Sequence, residues 1–186
     1  MKTSLSLLLF FLILISLGCG SSKPITDEND KLLIWDQEKK LAWTDFRGQP
    51  AAEDMTADWS AIGFSFVAYR IVDKKQTLIA AYFDRDRSWS VRQRDDLLKH
   101  EQYHFNITES FARQIRKKVM EEKLKPGTDA FEKVYTDNLK ALGTRQKEYD
   151  EMTQHGKNTD QQIAQEKLID ERLNAFAEFK NSLIVY

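Results

Sequence analysis

The sequence predicts an α+β domain, with antiparallel strands in its N-terminal part and three helices after them. Two patterns carry this expectation. Residues 31–91 are rich in β-branched and aromatic types interrupted by turn signals, whereas after Arg92 the apolar residues recur at helical spacing. Size supports it: 186 residues, 41% hydrophobic and 11% aromatic, suit one packed domain rather than a disordered chain.

The first twenty residues read as an address. Met1-Lys2-Thr3 gives a positive start, residues 5–17 are almost unbroken apolar sequence, and Gly18-Cys19-Gly20 ends the run. That is the order of a secretory signal, and it falls short of the ~20 apolar residues that span a bilayer. It resembles a bacterial lipoprotein signal, in which the Cys19 thiol takes the lipid and becomes the mature N-terminus. Ser16 stands where that pattern prefers Leu. The expected organisation is a signal peptide over 1–19, a polar tether over 20–30 and a functional domain over 31–186. Such a protein is exported and held in the cell envelope by a lipid on Cys19, not by a transmembrane helix. An ordinary secretory signal, giving a periplasmic or secreted protein, is the alternative.

In the strand region, Leu41-Ala42-Trp43 leads to a turn at Arg47-Gly48-Gln49-Pro50. Residues 59–72 and 77–83 read as strands joined through Asp73-Lys74-Lys75-Gln76. Trp43, Asp45 and Phe46 look like a packed corner with a structural aspartate. Ser88-Trp89 falls in the connection to the first helix and either packs or lines a cleft. The 77–83 strand, if at a sheet edge, would offer pairing to an extended substrate.

The first helix is expected over about 92–123, stopping before Pro126-Gly127. A second runs over about 128–155, with Gly156 as its stop. A third opens at Asn158 or Thr159, where Thr159 and Gln162 have capping-box spacing, and continues to about residue 180. Arg113, Arg116, Lys117 and Lys118 read as the solvated side and C-terminal end of the first helix.

Composition excludes several functions. With 28 Lys+Arg against 29 Asp+Glu there is no basic excess to suggest nucleic-acid binding. One cysteine excludes an intramolecular disulfide framework and a cysteine-rich zinc module.

The chemistry lies in His100-Glu101-Gln102-Tyr103-His104, an HExxH pattern on the first helix. Histidines four apart lie one turn above each other and can reach one metal ion. Glu101, rotated by about 100°, is placed to touch water at that ion without being a ligand. Two imidazoles, a third protein ligand and one position for water make a catalytic zinc site; zinc activates the water while Glu101 takes its proton. As a plain core pair, His100 and His104 would share a stripe with Leu97, Ile107, Phe111 and Ile115, and would need hydrogen-bond partners. The third ligand must come from elsewhere, because Glu109 and Asn106 point about 180° and 120° away from His100. His155, the one other histidine, is preferred. Asp150 is the alternative, as ligand or as a group orienting a ligand histidine. Tyr149 is a candidate donor to a developing oxyanion.

The chain resembles a bacterial family of secreted and envelope proteins described as Zn-dependent proteases, formerly a domain of unknown function. The resemblance rests on Leu41-Ala42-Trp43-Thr44-Asp45-Phe46-Arg47-Gly48, on Ser88-Trp89, on the segment from Leu97 through the HExxH pattern to Ile107, and on the stretch from Tyr149 to Gly156. It covers about residues 41–162. It implies a zincin-like metallopeptidase and active-site helix, with His100 and His104 as ligands and Glu101 as catalytic residue. Asn106 stands where the family often has Asp.

The expected function is therefore an exported zinc metallopeptidase acting on a peptide or protein substrate. Two alternatives stay open: an envelope lipoprotein whose zinc is structural or vestigial and which binds a partner, and a zinc hydrolase acting on a cell-wall amide.

Overall fold

The computed structural model describes residues 30–51 and 61–186. The signal peptide, Cys19 and all of the tether except Asp30 lie outside the described residues. Among those described, no helix is long and apolar enough to cross a membrane.

Short strands come first and three helices follow, the α+β order read from the sequence. The strands are β1 (Leu32–Ile34), β2 (Ala61–Ile62), β3 (Ser65–Asp73), β4 (Gln76–Asp84) and β5 (Trp89–Ser90). The helices are α1 (Asp95–Glu121), α2 (Asp129–Thr153) and α3 (Thr159–Ala175). A last strand, β6 (Leu183–Val185), was not foreseen and closes the chain.

The β3–β4 hairpin turns at Lys74-Lys75, where Asp73 Oδ1 accepts from the Lys75 amide at 2.7 Å. That bond stabilises a tight turn in the manner usual for aspartate. β4 is the centre of the main sheet, not an edge. β3 pairs with one side of it, while β1 pairs with residues 82–84 and β6 with residues 76–78 on the other. Its ladder positions are thus spoken for, which removes it as a docking strand for substrate. β2 and β5 form a separate two-stranded ribbon.

Along β4, Ile79, Ala81 and Phe83 alternate toward the core, as a strand period of two requires. They meet Phe105, Ile107, Phe111, Ala112, Ile115 and Val119 of α1. On its far side α1 packs against α2 and α3, through Phe131, Leu142, Tyr149, Ile169 and Leu173. The motif helix is therefore sandwiched between sheet and helices. Residues 105–113 are buried without a break.

Polar residues on the enclosed stretch of this helix must find partners, and they do. Asn106 Oδ1 accepts from Trp35 Nε1 at 2.8 Å and from Gln102 Nε2 at 2.9 Å. Arg113 and Arg116 are 3% and 0% exposed, which corrects their reading as a solvated helix face. The cause is Glu109, whose Oε1 lies 2.9 Å from Arg113 Nε and 2.5 Å from Arg116 Nη2. Arg116 also donates to the carbonyls of Ile79 and Phe179, and Arg113 to that of Leu173. The helix periodicity placed these residues correctly, but a charge run does not disclose a buried carboxylate partner.

The corner at Trp43–Asp45 is structural, as expected. Asp45 accepts from the Ala42 amide at 2.8 Å and pairs with Arg85 at 3.0 Å, while Phe46 bridges the rings of Trp43 and Phe83. Ser88 is fully buried, donating to the Asp84 carbonyl and accepting from the Phe64 amide. It and Trp89 pack rather than line the cleft.

Candidate metal centre

His100 and His104 project from adjacent turns of α1, their ring planes at 87° and their Nε2 atoms 3.1 Å apart. Asp150 approaches from α2. Its Oδ1 lies 3.1 Å from His100 Nε2 and 2.9 Å from His104 Nε2. His100, His104 and Asp150 form a group able to hold a metal ion.

The surrounding amides show why these atoms suit a cation. Gln146 Nε2 donates to the His104 carbonyl, an acceptor only, at 3.0 Å. Its Oε1 must then be the atom facing His104 Nδ1, at 2.5 Å. Gln162 Nε2 lies 3.0 Å from the Glu166 carboxylate, so its Oε1 faces His100 Nδ1, also at 3.0 Å. Each Nδ1 therefore carries a proton, and in the neutral ring each Nε2 presents a lone pair to Asp150. Two lone pairs and a carboxylate oxygen about 3 Å apart repel one another. One proton satisfies only one Nε2; a divalent cation satisfies all three atoms. Imidazoles anchored through the second nitrogen are the usual support of such ions.

Titration tendencies follow the same contacts. Burial opposes ionisation of Asp150, but its contacts with His100 and His104 outweigh it and hold its carboxyl below the ordinary range. Burial likewise opposes a charged His104, yet the Asp150 hydrogen bond and the Glu101 carboxylate raise its proton affinity.

Glu101 is 5% exposed and, together with His100, His104 and Asp150, lines a cleft of about 470 Å³. Its Oε2 accepts from the Gly63 amide at 2.7 Å. Burial raises its pKa above the usual carboxylate value, opposed by His104 and His100. Position 63 has to be glycine for this approach, because a Cβ there would sit 2.7 Å from that oxygen.

The remaining candidates separate. His155 borders the cleft with Nδ1 3.4 Å from Asp150 Oδ1, but it is not part of the three-residue group. Tyr149 is fully buried, its ring stacked on His100 with centroids 4.8 Å apart. Its hydroxyl engages Gln162 Nε2 at 2.5 Å and the His100 carbonyl at 3.5 Å, so it faces the protein and not the cleft. That geometry gives it a wall to build rather than an oxyanion to receive.

Gly156 follows two left-handed residues, Gln154 and His155, and itself has φ +77°. A Cβ there would lie 3.2–3.3 Å from the His100 ring. Gly156→Ala is expected to lower stability by about 1–2 kcal/mol through backbone strain and metal affinity by about tenfold through displacement of His100. Thermal melting and competition with a chelating dye measure the two separately.

A family model matches residues 39–156, from just before the Trp43 corner to the glycine against His100. The chain belongs to DUF922, a family of bacterial proteins of unknown function. The DUF922 match contains His100, Glu101, His104, Gln146, Asp150 and His155, but stops before Gln162. No curated protein and no solved structure matches the chain.

Sequence reasoning missed Gln146, Gln162 and Gly63. Gln146 had a signal, since it stands one turn before Asp150 just as His100 stands one turn before His104. Gln162 was assigned to a helix cap, but Asn158 fills that role by accepting from the Gln161 amide at 3.2 Å.

Proposed function

We propose that the chain is an exported, zinc-dependent peptidase. The observation that carries this reading is the HExxH pattern set in a cleft, with Glu101 beside a His100–His104–Asp150 group. Zinc held by these three residues would polarise a substrate carbonyl and acidify water. The protein's own part is distinct. Gly63 fixes one oxygen of Glu101, leaving the other to take a proton from the attacking water and return it to the departing amine nitrogen. A raised pKa suits that shuttle, because a base nearer neutrality both accepts and releases protons. Tyr149, Gln146 and Gln162 keep the imidazoles oriented, and Asp150 rather than His155 is the third ligand.

The test is metal content and peptide hydrolysis by the mature protein. One zinc per chain, lost on Asp150→Ala and retained on His155→Ala, is expected, with hydrolysis abolished by a chelator and restored by zinc. Zinc lost only on His155→Ala would reverse the ligand assignment. Bound zinc without hydrolysis of any peptide would favour the structural reading.

A further inference from the structure

A second concavity lies among the helices. It opens between α2 and α3, with the buried Ile107 and Ser110 of α1 beneath it, and has a volume of about 390 Å³, enough for a small organic molecule. Arg145, Glu148 and Met152 line it from α2, and Gln165, Leu168 and Arg172 from α3. Both sets recur at spacings of three and four, so each helix turns one stripe toward the groove. Asp150 stands two residues from Glu148, about 160° round α2, which separates this groove from the metal centre.

The two arginines here have only neutral partners among the described residues. Arg145 Nη2 donates to Gln165 Oε1 at 2.6 Å, and Arg172 Nη2 donates to Gln114 Oε1. Arg172 lies over the rings of Phe111 and Phe176, and its buried Nε has no acceptor. Burial and the nearby charge of Arg145 both lower its proton affinity. The contrast with Arg113 and Arg116 is plain, since those two share the carboxylate of Glu109. Glu148 lines the groove, yet two positive charges against its one negative charge leave one to be balanced. Met152 and Leu168, 46% and 54% exposed, place apolar surface beside them.

A guanidinium fork matches a carboxylate in shape as well as charge, and exposed apolar side chains around it favour a ligand with an apolar body. We infer that the groove binds a monocarboxylate on an apolar body, the carboxylate held by Arg145 and Arg172 and the body covered by Met152 and Leu168. A fatty acid and a peptide C-terminus with an apolar last residue both present this chemistry.

The test is calorimetric titration of the mature protein, with and without zinc, using octanoate, N-acetylleucine and the uncharged amide of each. The acid that fits is expected to bind once per chain, with or without zinc, and about tenfold tighter than its amide. Which acid binds tighter separates the lipid from the peptide source. Arg145→Gln should weaken binding about fivefold, and Glu148→Gln, at an exposed position, should tighten it about twofold by removing the opposing charge. Binding that requires zinc, or that Arg145→Gln leaves untouched, would overturn the inference, because the carboxylate would then be going elsewhere. Equal affinities for acid and amide, or no binding of either acid, would overturn it as well.

Discussion

Glu101→Gln is expected to slow peptide hydrolysis by about two to four orders of magnitude while leaving metal content and fold intact. The amide keeps an acceptor for the Gly63 N–H, now met by a carboxylate oxygen at 2.7 Å, so the cleft wall stays in place. What disappears is the group that accepts a proton. Burial already disfavours the ionised side chain, so the neutral replacement should melt at the same temperature or slightly higher. Steady-state rates paired with metal analysis decide the matter. Full activity in a zinc-loaded variant would remove Glu101 from the chemistry.

The second large effect is one of stability. Glu109→Ala should destabilise the protein by about 3–5 kcal/mol, because it strands two buried guanidinium groups without their carboxylate. Arg116, 0% exposed, joins α1 to the Ile79 carbonyl of β4 and to the Phe179 carbonyl near the C-terminus. Burial lowers its proton affinity, and Glu109 works against that. Glu109→Gln keeps a hydrogen-bond acceptor but no charge and should fall between the two. Denaturant unfolding supplies the values, and a loss below about 1 kcal/mol for the alanine variant would make the network incidental.

What the sequence disclosed and what it hid divide along the range of the interactions. The HExxH turn was legible because a helix brings residues four apart together without help from the rest of the chain. The β3–β4 hairpin was legible for the same reason, with Asp73 organising its own turn. The burial of Arg116 was not, since its carbonyl partners stand 37 and 63 residues away. The same holds for the central place of β4, which depends on β1 and β6 arriving from the two ends of the domain. At the candidate metal site, Asp150 and His155 stand only five residues apart in sequence, and the path of α2 separates them. Thr153 is the last residue of that helix. Asp150 is therefore held by regular helix, whereas His155 falls in the left-handed turn beyond it.

The partner of the His100 Nδ1 proton has a bearing on biosynthesis. A ribosome finishes the HExxH turn some sixty residues before it adds Gln162, which stands 62 positions beyond His100. A nascent chain therefore displays both imidazoles before Gln146, Asp150 and Gln162 exist, and His100 is the last to gain its orienting amide. The candidate site is assembled only after the third helix has emerged and docked, so a metal ion would meet both oriented imidazoles no earlier than that.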